Sequence, residues 1–400
     1  MIRFLTAGES HGPALTAIVE GFPAGLELTT AKIQEDLERR RRGYGRGGRM
    51  KIEGDTVEIL SGVRHGLTLG SPIAIMIQNR DWERWKEVMS AAATDEVDRV
   101  DIAGDERLTA IEARVTKPRP GHADLPGSLK YRQNDIRNIL ERASARETAA
   151  RVAVGAVARC LLAQFDIAVF SGVLGIGAVE IANPPADLAL YRRNVAQSPV
   201  AAPEPQSAAR MMAEIDRARE NGDSLGGLIE VLAEGVPAGL GSHVHWDRRL
   251  DGRLSGALMS IPAIKAVGIG LGFETATQPG SQVHDPIHYR PERGFYHATN
   301  HAGGIEGGIS NGELIRLRLA MKPIPTLYKP LPTVDLETKQ PCAASIERSD
   351  TCAVPAAAVV AEAMTCWVLA EACLEKFGGD HLAESEANYR NYLRQIRERP

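Results

Sequence analysis

Hydrophobic and polar residues alternate along several short stretches of the chain. The clearest is 315–321, where apolar residues at odd positions are separated by Arg316 and Arg318. This two-residue period is typical of a strand with one buried face. Further strands are predicted over 57–60, 72–77 and 228–233.

Other stretches have the period of an amphipathic helix and carry recognisable ends. Thr30 is predicted to cap a helix with Ile33 and Leu37 on its inner face. Ser144 and Glu147 have the spacing of a capping box, in which two side chains satisfy free backbone amides reciprocally. The predicted helices cover residues 30–41, 145–164, 207–221 and 247–260.

The longest apolar stretch, 354–373, is about the length of a membrane span. Glu362 and Glu371 interrupt it, however, and Pro355 and the glycines at 378–379 are typical of a helix start and stop. We therefore expect a buried core helix and no membrane association.

Strands occur in clusters between long helices and do not alternate regularly with them. This order favours an α+β fold with mainly antiparallel sheets on a helical core, without a Rossmann unit. One catalytic domain is expected over residues 1–380, followed by a polar helix or tail over 381–400. The alanine- and proline-rich segment 184–205 is predicted to be a surface excursion.

Charge and cysteine content narrow the class of protein. The net charge of −4 provides no overall attraction to nucleic acid or anionic membranes, so any anion binding must come from local clusters. Five cysteines without CxxC spacing indicate reduced thiols, and the N-terminus lacks the apolar region of a signal peptide, so a cytoplasmic protein is expected. Histidine pairs at 243/245 and 284/288 lack completing cysteine or carboxylate ligands, and no metal site is predicted.

The densest candidate chemistry is the sequence RRRRGYGRGGRMK at 39–51, with seven basic residues in thirteen. Positive charge at a helix end offsets the helix dipole, but this does not explain why the arginines continue through the glycines. If the chain folds back there, Arg40, Arg46 and Arg49 can converge as guanidinium forks on carboxylate or phosphate. An RNA-binding arginine–glycine tract is the alternative.

Two further clusters combine histidine with polar neighbours. Arg119 and His122 share a proline-fixed loop with Asp124, an arrangement suited to proton transfer. His11 follows Ser10 in the turn-prone sequence GESHG.

Arginines also flank the start of a predicted helix. Arg142 and Arg146 surround Ser144, where free backbone amides and the helix dipole favour an anion. Three other stretches allow close approach of a ligand or precede a helix: the glycine-rich loop 303–308, the loop 322–326 and the sequence RSD at 348–350.

Taken in order, GESHG, GYGRGGR, RPGHAD, RASARETA, NHAGGIEGG, KPIPT and RSD resemble the motifs of chorismate synthases, over about residues 1–379. The resemblance implies a single-domain sandwich of helices between antiparallel sheets, assembled as a homotetramer. It implies an anti 1,4-elimination of phosphate and a ring hydrogen from 5-enolpyruvylshikimate 3-phosphate. Reduced FMN is required, without net redox change.

The resemblance also implies roles for individual residues. His11 would protonate the departing phosphate, His122 would balance charge on the reduced flavin, and Asp350 would help relay a proton. The implied contacts with substrate or NADP anions are Ser10, Arg40, Arg46, Arg49, Arg119 and Arg146. The implied FMN contacts are Arg142, Ala143, Ser144, Pro262, Ala263, Gly307, Lys322, Pro323, Ile324, Pro325, Thr326 and Arg348.

The substrate carries a phosphate and two carboxylates, which fits a dense arginine lining. No additional reductase domain is evident, so an external flavin reductase is the expected partner. Two alternatives stay open at this point: an arginine–glycine RNA-binding protein and a flavin oxidoreductase that consumes its reduced cofactor.

Overall fold

The computed structural model describes residues 2–47, 54–92, 114–346 and 349–398. Arg49, Arg348 and most of the acidic 91–115 segment lie outside the described residues.

The secondary-structure elements are named here in chain order. The α-helices in the described ranges are α1 Thr30–Arg41, α2 Asp124–Tyr131, α3 Arg137–Ala143, α4 Thr148–Ala163, α5 Leu188–Gln197, α6 Pro205–Glu220, α7 Leu250–Met259, α8 Gly280–Val283, α9 Val354–Phe377 and α10 Leu382–Arg397. The strands are β1 Arg3–Ala7, β2 Ala14–Glu20, β3 Val57–Ser61, β4 Val63–Arg64, β5 Leu67–Thr68, β6 Ile73–Gln78, β7 Ala168–Ile176, β8 Val179–Glu180, β9 Gly227–Glu234, β10 Ile264–Ile269, β11 Ile287–Arg290, β12 Gly294–His297, β13 Ile305–Glu306, β14 Ile309–Ser310, β15 Ile315–Met321, β16 Pro332–Val334 and β17 Pro341–Ala343.

Two antiparallel sheets form the outer layers. The smaller has the strand order β1-β2-β6-β3, and the larger has the order β10-β15-β9-β7-β8. Within β15 the alternation expected from sequence is present, because Ile315, Leu317 and Leu319 are buried and the arginines between them are half-buried. The α+β prediction with mainly antiparallel sheets is confirmed.

A layer of helices fills the space between the two sheets. Helices α1 and α4 pack on the smaller sheet, α7 and α9 pack on the larger sheet, and α4 packs along α9. Gly155 allows the α4–α9 approach, since a Cβ atom there would lie 2.4 Å from the Cβ atom of Ala363. This is the helix-between-sheets sandwich that the resemblance implies.

Helix α9 is apolar and long enough to cross a membrane by length and composition alone, yet 89% of its most apolar window is buried inside the protein. Its Glu362 carboxylate accepts hydrogen bonds from Arg39 at 2.8 and 2.9 Å, from Arg159 at 2.5 Å and from Ser171 at 2.9 Å. Burial alone would raise the pKa of Glu362, but the two guanidinium groups outweigh burial and lower it to about 2. A charge in the apolar stretch is thus compensated within the core, and the predicted core helix is confirmed.

Two predicted helix starts were wrong in detail. The cap of α1 is Thr29, whose hydroxyl accepts from the Lys32 amide at 3.4 Å, while Thr30 is the first helical residue. Ser144 caps a short 3₁₀ turn over Ala145–Glu147, so the reciprocal capping box does not form. The Glu147 carboxylate instead accepts from Arg151, one turn further into α4.

The segment 184–205 is not a simple surface excursion. It contains α5, which Asp187 caps by accepting from two backbone amides, and it buries Tyr191 and Val200. The prediction failed because the alanines and prolines that flank this helix dominate the composition. The predicted helix over 247–260 is a 3₁₀ turn at Trp246–Arg248 followed by α7.

Candidate functional site

A cavity of about 650 Å³ opens where the ends of several elements meet. Its walls come from the β1–β2 loop, the end of α1, the loop before α2, the α3–α4 junction, the turn before β10, the loop after β15 and the start of α9. Cavities of this size are typical of small-molecule sites. Motifs that are separated by up to about 340 residues in sequence therefore share one space.

Most of the residues singled out from sequence line this cavity. They are Ser10, His11, Arg40, Arg46, Arg119, His122, Ala143, Ser144, Arg146, Pro262, Ala263, Lys322, Ile324, Pro325, Thr326 and Asp350.

Among the described residues, three of the predicted FMN contacts do not line it. The Arg142 guanidinium donates to the carbonyls of Thr6 and Gly8, and Gly307 accepts from Arg249 in the β13–β14 turn. Pro323 belongs to the lining loop but is not itself part of the wall.

The glycine-rich turn after α1 brings Arg46 to the entrance of α9. Gly45 has a φ of +88°, and its carbonyl accepts from the Thr351 amide at 2.9 Å. Next to this contact, Arg46 Nε lies 3.2 Å from Asp350 Oδ2, and the Gly47 amide donates to Asp350 Oδ1 at 2.6 Å. A side chain at Gly45 would be strained at this φ and would crowd Ile215, so the turn requires glycine.

The two least exposed arginines of the cavity are held by one buried carboxylate. Asp55, 1% exposed, pairs with Arg40 at 3.5 Å and with Arg146 at a shorter distance. The Arg146 Nε and terminal nitrogen also donate to Asn79 Oδ1, at 3.0 and 2.8 Å. The guanidinium groups are therefore fixed before a ligand arrives, which suits an anion with several oxygens.

His122 and Arg119 share a single carboxylate. Asp124 accepts from Arg119 Nε at 2.8 Å, from its terminal nitrogen at 3.1 Å and from His122 Nδ1 at 2.5 Å. Burial alone would raise the pKa of Asp124, but the hydrogen bonds from His122 and Arg119 hold it well below its usual range. With Nδ1 donating to Asp124, Nε2 is the imidazole nitrogen available to a ligand.

His11 is held in a similar way by a carboxylate distant in sequence. Its Nδ1 lies 2.8 Å from Glu141 Oε1, and its backbone amide donates to Glu141 Oε2 at 2.8 Å. The imidazole stacks on Trp85 with 3.9 Å between ring centroids. Ser144 Oγ donates to Ser10 Oγ at 3.2 Å, and both residues line the cavity with His11.

The loop after β15 is fastened on both sides. The Lys322 amide donates to the Ala263 carbonyl at 2.9 Å, and Ser224 Oγ donates to the Ile324 carbonyl at 2.6 Å. Thr326 Oγ1 accepts from Arg119 at 3.2 Å. Burial and the neighbouring Lys265 ammonium lower the pKa of Lys322. The backbone and side chains of this loop are thus held in place next to Arg119.

Four residues that hold these groups were missed by sequence reasoning: Asp55, Asn79, Trp85 and Glu141. Asn79 donates to the carbonyls of Glu9 and Gly12, so it supports the histidine loop as well as Arg146. Asp55 and Asn79 stand just outside the strands predicted over 57–60 and 72–77, a position that does not indicate a partner, and Trp85 and Glu141 carry no local signal.

Arginine and histidine side chains line the cavity together with the apolar residues Ile261, Met321, Ala356 and Val360. The arrangement can bind a multiply charged small anion beside a flat apolar group, with imidazoles in reach for proton transfer. Fold and site together define an α+β enzyme acting on a small anionic molecule.

Comparison with known proteins identifies the family. A family model described as chorismate synthase matches residues 2–374. The chorismate synthase of Moorella thermoacetica is 61% identical over 399 residues, covering 99% of this chain and 100% of that protein. The chorismate synthase of Desulforamulus reducens is 57% identical over 400 residues, covering 100% of both. A crystal structure of chorismate synthase is similar with a TM-score of 0.78 and 44% identity, over 99% of this chain and 98% of the other.

The chain belongs to the chorismate synthase family.

Proposed function

We propose that the protein eliminates phosphate and a ring hydrogen from 5-enolpyruvylshikimate 3-phosphate to give chorismate, with reduced FMN as cofactor. Membership of the family supports the reaction class, that of carbon–oxygen lyases acting on phosphates. The single observation that carries the proposal is the convergence of four buried or nearly buried arginines and two carboxylate-held histidines on one cavity.

The anionic groups of the substrate match the arginines that line the cavity. A phosphate and two carboxylates need several guanidinium or hydroxyl donors in fixed positions. Arg40, Arg46, Arg119 and Arg146 supply the guanidinium groups, and Ser10 supplies a hydroxyl next to His11. Arg49, which belongs to the same sequence motif, is proposed as a further contact.

The flavin is proposed to bind in the same cavity. The cavity of about 650 Å³ includes apolar lining residues suited to a planar ring, and the residues around Ala143, Pro262 and Lys322 offer backbone and ammonium groups. We propose these, together with Ser144, Ala263 and Ile324–Thr326, as the FMN-binding residues. Arg142, Gly307, Pro323 and Arg348 remain proposals from the resemblance alone. When bound, reduced FMN supplies the transient electron density that assists loss of phosphate from carbon.

The histidines perform acid–base work in this proposal. His11, held through Nδ1, donates a proton from Nε2 to an oxygen of the departing phosphate. His122, held by Asp124, balances negative charge next to the bound cofactor. Asp350 takes part in moving the ring proton, and its contacts with Arg46 and Gly47 fix the position of its carboxylate.

Assembly and cellular context follow from the family resemblance. We propose a cytoplasmic homotetramer that receives reduced flavin from a separate reductase. The arginine–glycine RNA-binding alternative is not favoured, because Arg40 is buried and Arg39 and Arg46 pair with carboxylates, so these three do not form an exposed basic surface.

The deciding experiment is anaerobic incubation of the protein with substrate and chemically reduced FMN. We expect chorismate absorbance and orthophosphate to appear in equal amounts, many turnovers per flavin, and no product when flavin is omitted. Consumption of one reduced FMN per product would indicate a flavin oxidoreductase. Absence of phosphate release by folded protein with reduced FMN would overturn the proposal.

A further inference from the structure

Glu141 connects three parts of the site around His11. It lies in α3, is 2% exposed, and accepts from both the backbone amide and Nδ1 of His11. Arg137, one turn earlier in α3, donates to Glu141 at 3.3 Å and places its guanidinium 5.1 Å from the Trp85 ring centroid. Trp85 in turn stacks on the His11 imidazole. Glu141 and Trp85 thus both contact the His11 ring and restrain it.

The Glu141 carboxylate determines which imidazole nitrogen can react. A carboxylate accepts hydrogen bonds and does not donate, so His11 Nδ1 carries the hydrogen and Nε2 is the nitrogen open to a ligand. Burial alone would raise the pKa of Glu141, but the hydrogen bonds and charge of His11 lower it, which keeps this carboxyl ionised. When Nε2 gives up a proton, the hydrogen on Nδ1 stays in place, because Glu141 accepts it at 2.8 Å.

We propose that Glu141 is a positioning residue that holds His11 in the Nδ1–H form, with Nε2 directed to the departing phosphate. This inference rests on the proposed function. Glu141 is not among the cavity-lining residues, so it acts through His11 and not on the substrate.

The experiment must distinguish positioning of the His11 ring from a purely structural role of Glu141. Glu141 also fastens the β1–β2 loop through the His11 backbone amide, and its own carbonyl accepts from the Ser10 amide at 3.1 Å. Loss of that fastening would displace Ser10 as well and would weaken substrate binding. Loss of ring positioning alone would slow the chemical step and leave binding unchanged.

A double-mutant cycle in the full-length protein distinguishes these roles. Glu141→Gln keeps the shape of the side chain and removes its charge, and we expect kcat to fall about 10–100-fold with KM within about threefold. In a His11→Ala background the same change should have almost no additional effect on kcat, because the residue acts through the missing ring. Glu371→Gln, at an ion pair with Arg253 outside the cavity, is the matched control and should keep wild-type kcat.

The inference would be overturned if the kcat loss of the double variant equalled the product of the two single losses. It would also be overturned if Glu141→Gln raised KM and left kcat unchanged. A second measurement does not depend on turnover or on the variant folding. Nitrogen-15 shifts of the His11 ring in the wild-type protein should report hydrogen on Nδ1, and a neutral ring with its hydrogen on Nε2 and none on Nδ1 would refute the assignment. Because these shifts need no substrate, they also separate failure of this inference from failure of the elimination activity.

Discussion

At the scale of single residues, the chemistry depends on carboxylates that hold cavity side chains. Asp124 holds His122 and Arg119, Glu141 holds His11, and Asp55 holds the guanidinium group of Arg146. Buried charges are stable only when paired, and the pairing here also fixes orientation before a ligand binds. The site is therefore preorganised by its acids as much as by its bases.

The pairing of His122 with Asp124 leads to a direct kinetic prediction. Replacing His122 with alanine should lower turnover about 100-fold or more, since a positioned acid–base group typically contributes that much. His243→Ala, at an exposed histidine outside the cavity, is the control and should retain activity within about twofold. Near-normal turnover of the His122 variant would exclude a role in charge or proton transfer.

The sequence allowed site residues to be predicted where the interacting residues lie close together in the chain. Arg119, His122 and Asp124 lie within six positions, and a proline-fixed loop leaves them few alternatives to contact. Glu141 lies 130 positions from His11, and Asp55 lies 91 positions from Arg146. No local pattern encodes such long-range pairs, because they exist only once the layers pack.

At the scale of elements, the close contact of α4 with α9 sets the spacing of the helical layer. Gly155 faces Ala363 so closely that an added Cβ would lie 2.4 Å from the Ala363 Cβ and 2.7 Å from its carbonyl oxygen. Backbone atoms cannot move aside as a flexible side chain can. One methyl group should therefore push the two central helices apart.

Gly155→Ala should lower the free energy of unfolding by about 1–3 kcal/mol, as overpacking of a core does. Gly256→Ala in α7 is the matched control, since no atom beyond its chain neighbours and its own helix backbone lies within 4 Å of its added Cβ. Alanine is the better helix former there, and the control should be stabilised by up to about 1 kcal/mol. Urea unfolding measures both, and equal effects of the two substitutions would contradict the packing argument.

The predicted elements were accurate where one period dominates. The alternation at 315–321 and the apolar run starting at 354 each predicted their element, because burial of one face or of all faces leaves a clear pattern. Helix α5 was missed because its flanking prolines and alanines hid a polar helix that buries one side chain, Tyr191. The α4 start was misjudged because a 3₁₀ turn replaced the expected capping box.

At the scale of the whole molecule, charges buried between the layers tie the sandwich together. Glu362 of α9 contacts Arg39 of α1, Arg159 of α4 and Ser171 of β7. The same arrangement brings the end of α1, the α3–α4 junction and the entrance of α9 to one cavity. Fold class followed from element order, but this convergence could be anticipated only through the family resemblance.

The central claim is that this one cavity binds both the phosphorylated substrate and the flavin. Its most direct test is a crystal structure of the protein with FMN and 5-enolpyruvylshikimate 3-phosphate. We expect both ligands in the cavity, with substrate anions on Arg40 and Arg146 and with His11 Nε2 within hydrogen-bond distance of the phosphate. Either ligand bound elsewhere, or a phosphate remote from His11 and the arginines, would contradict it.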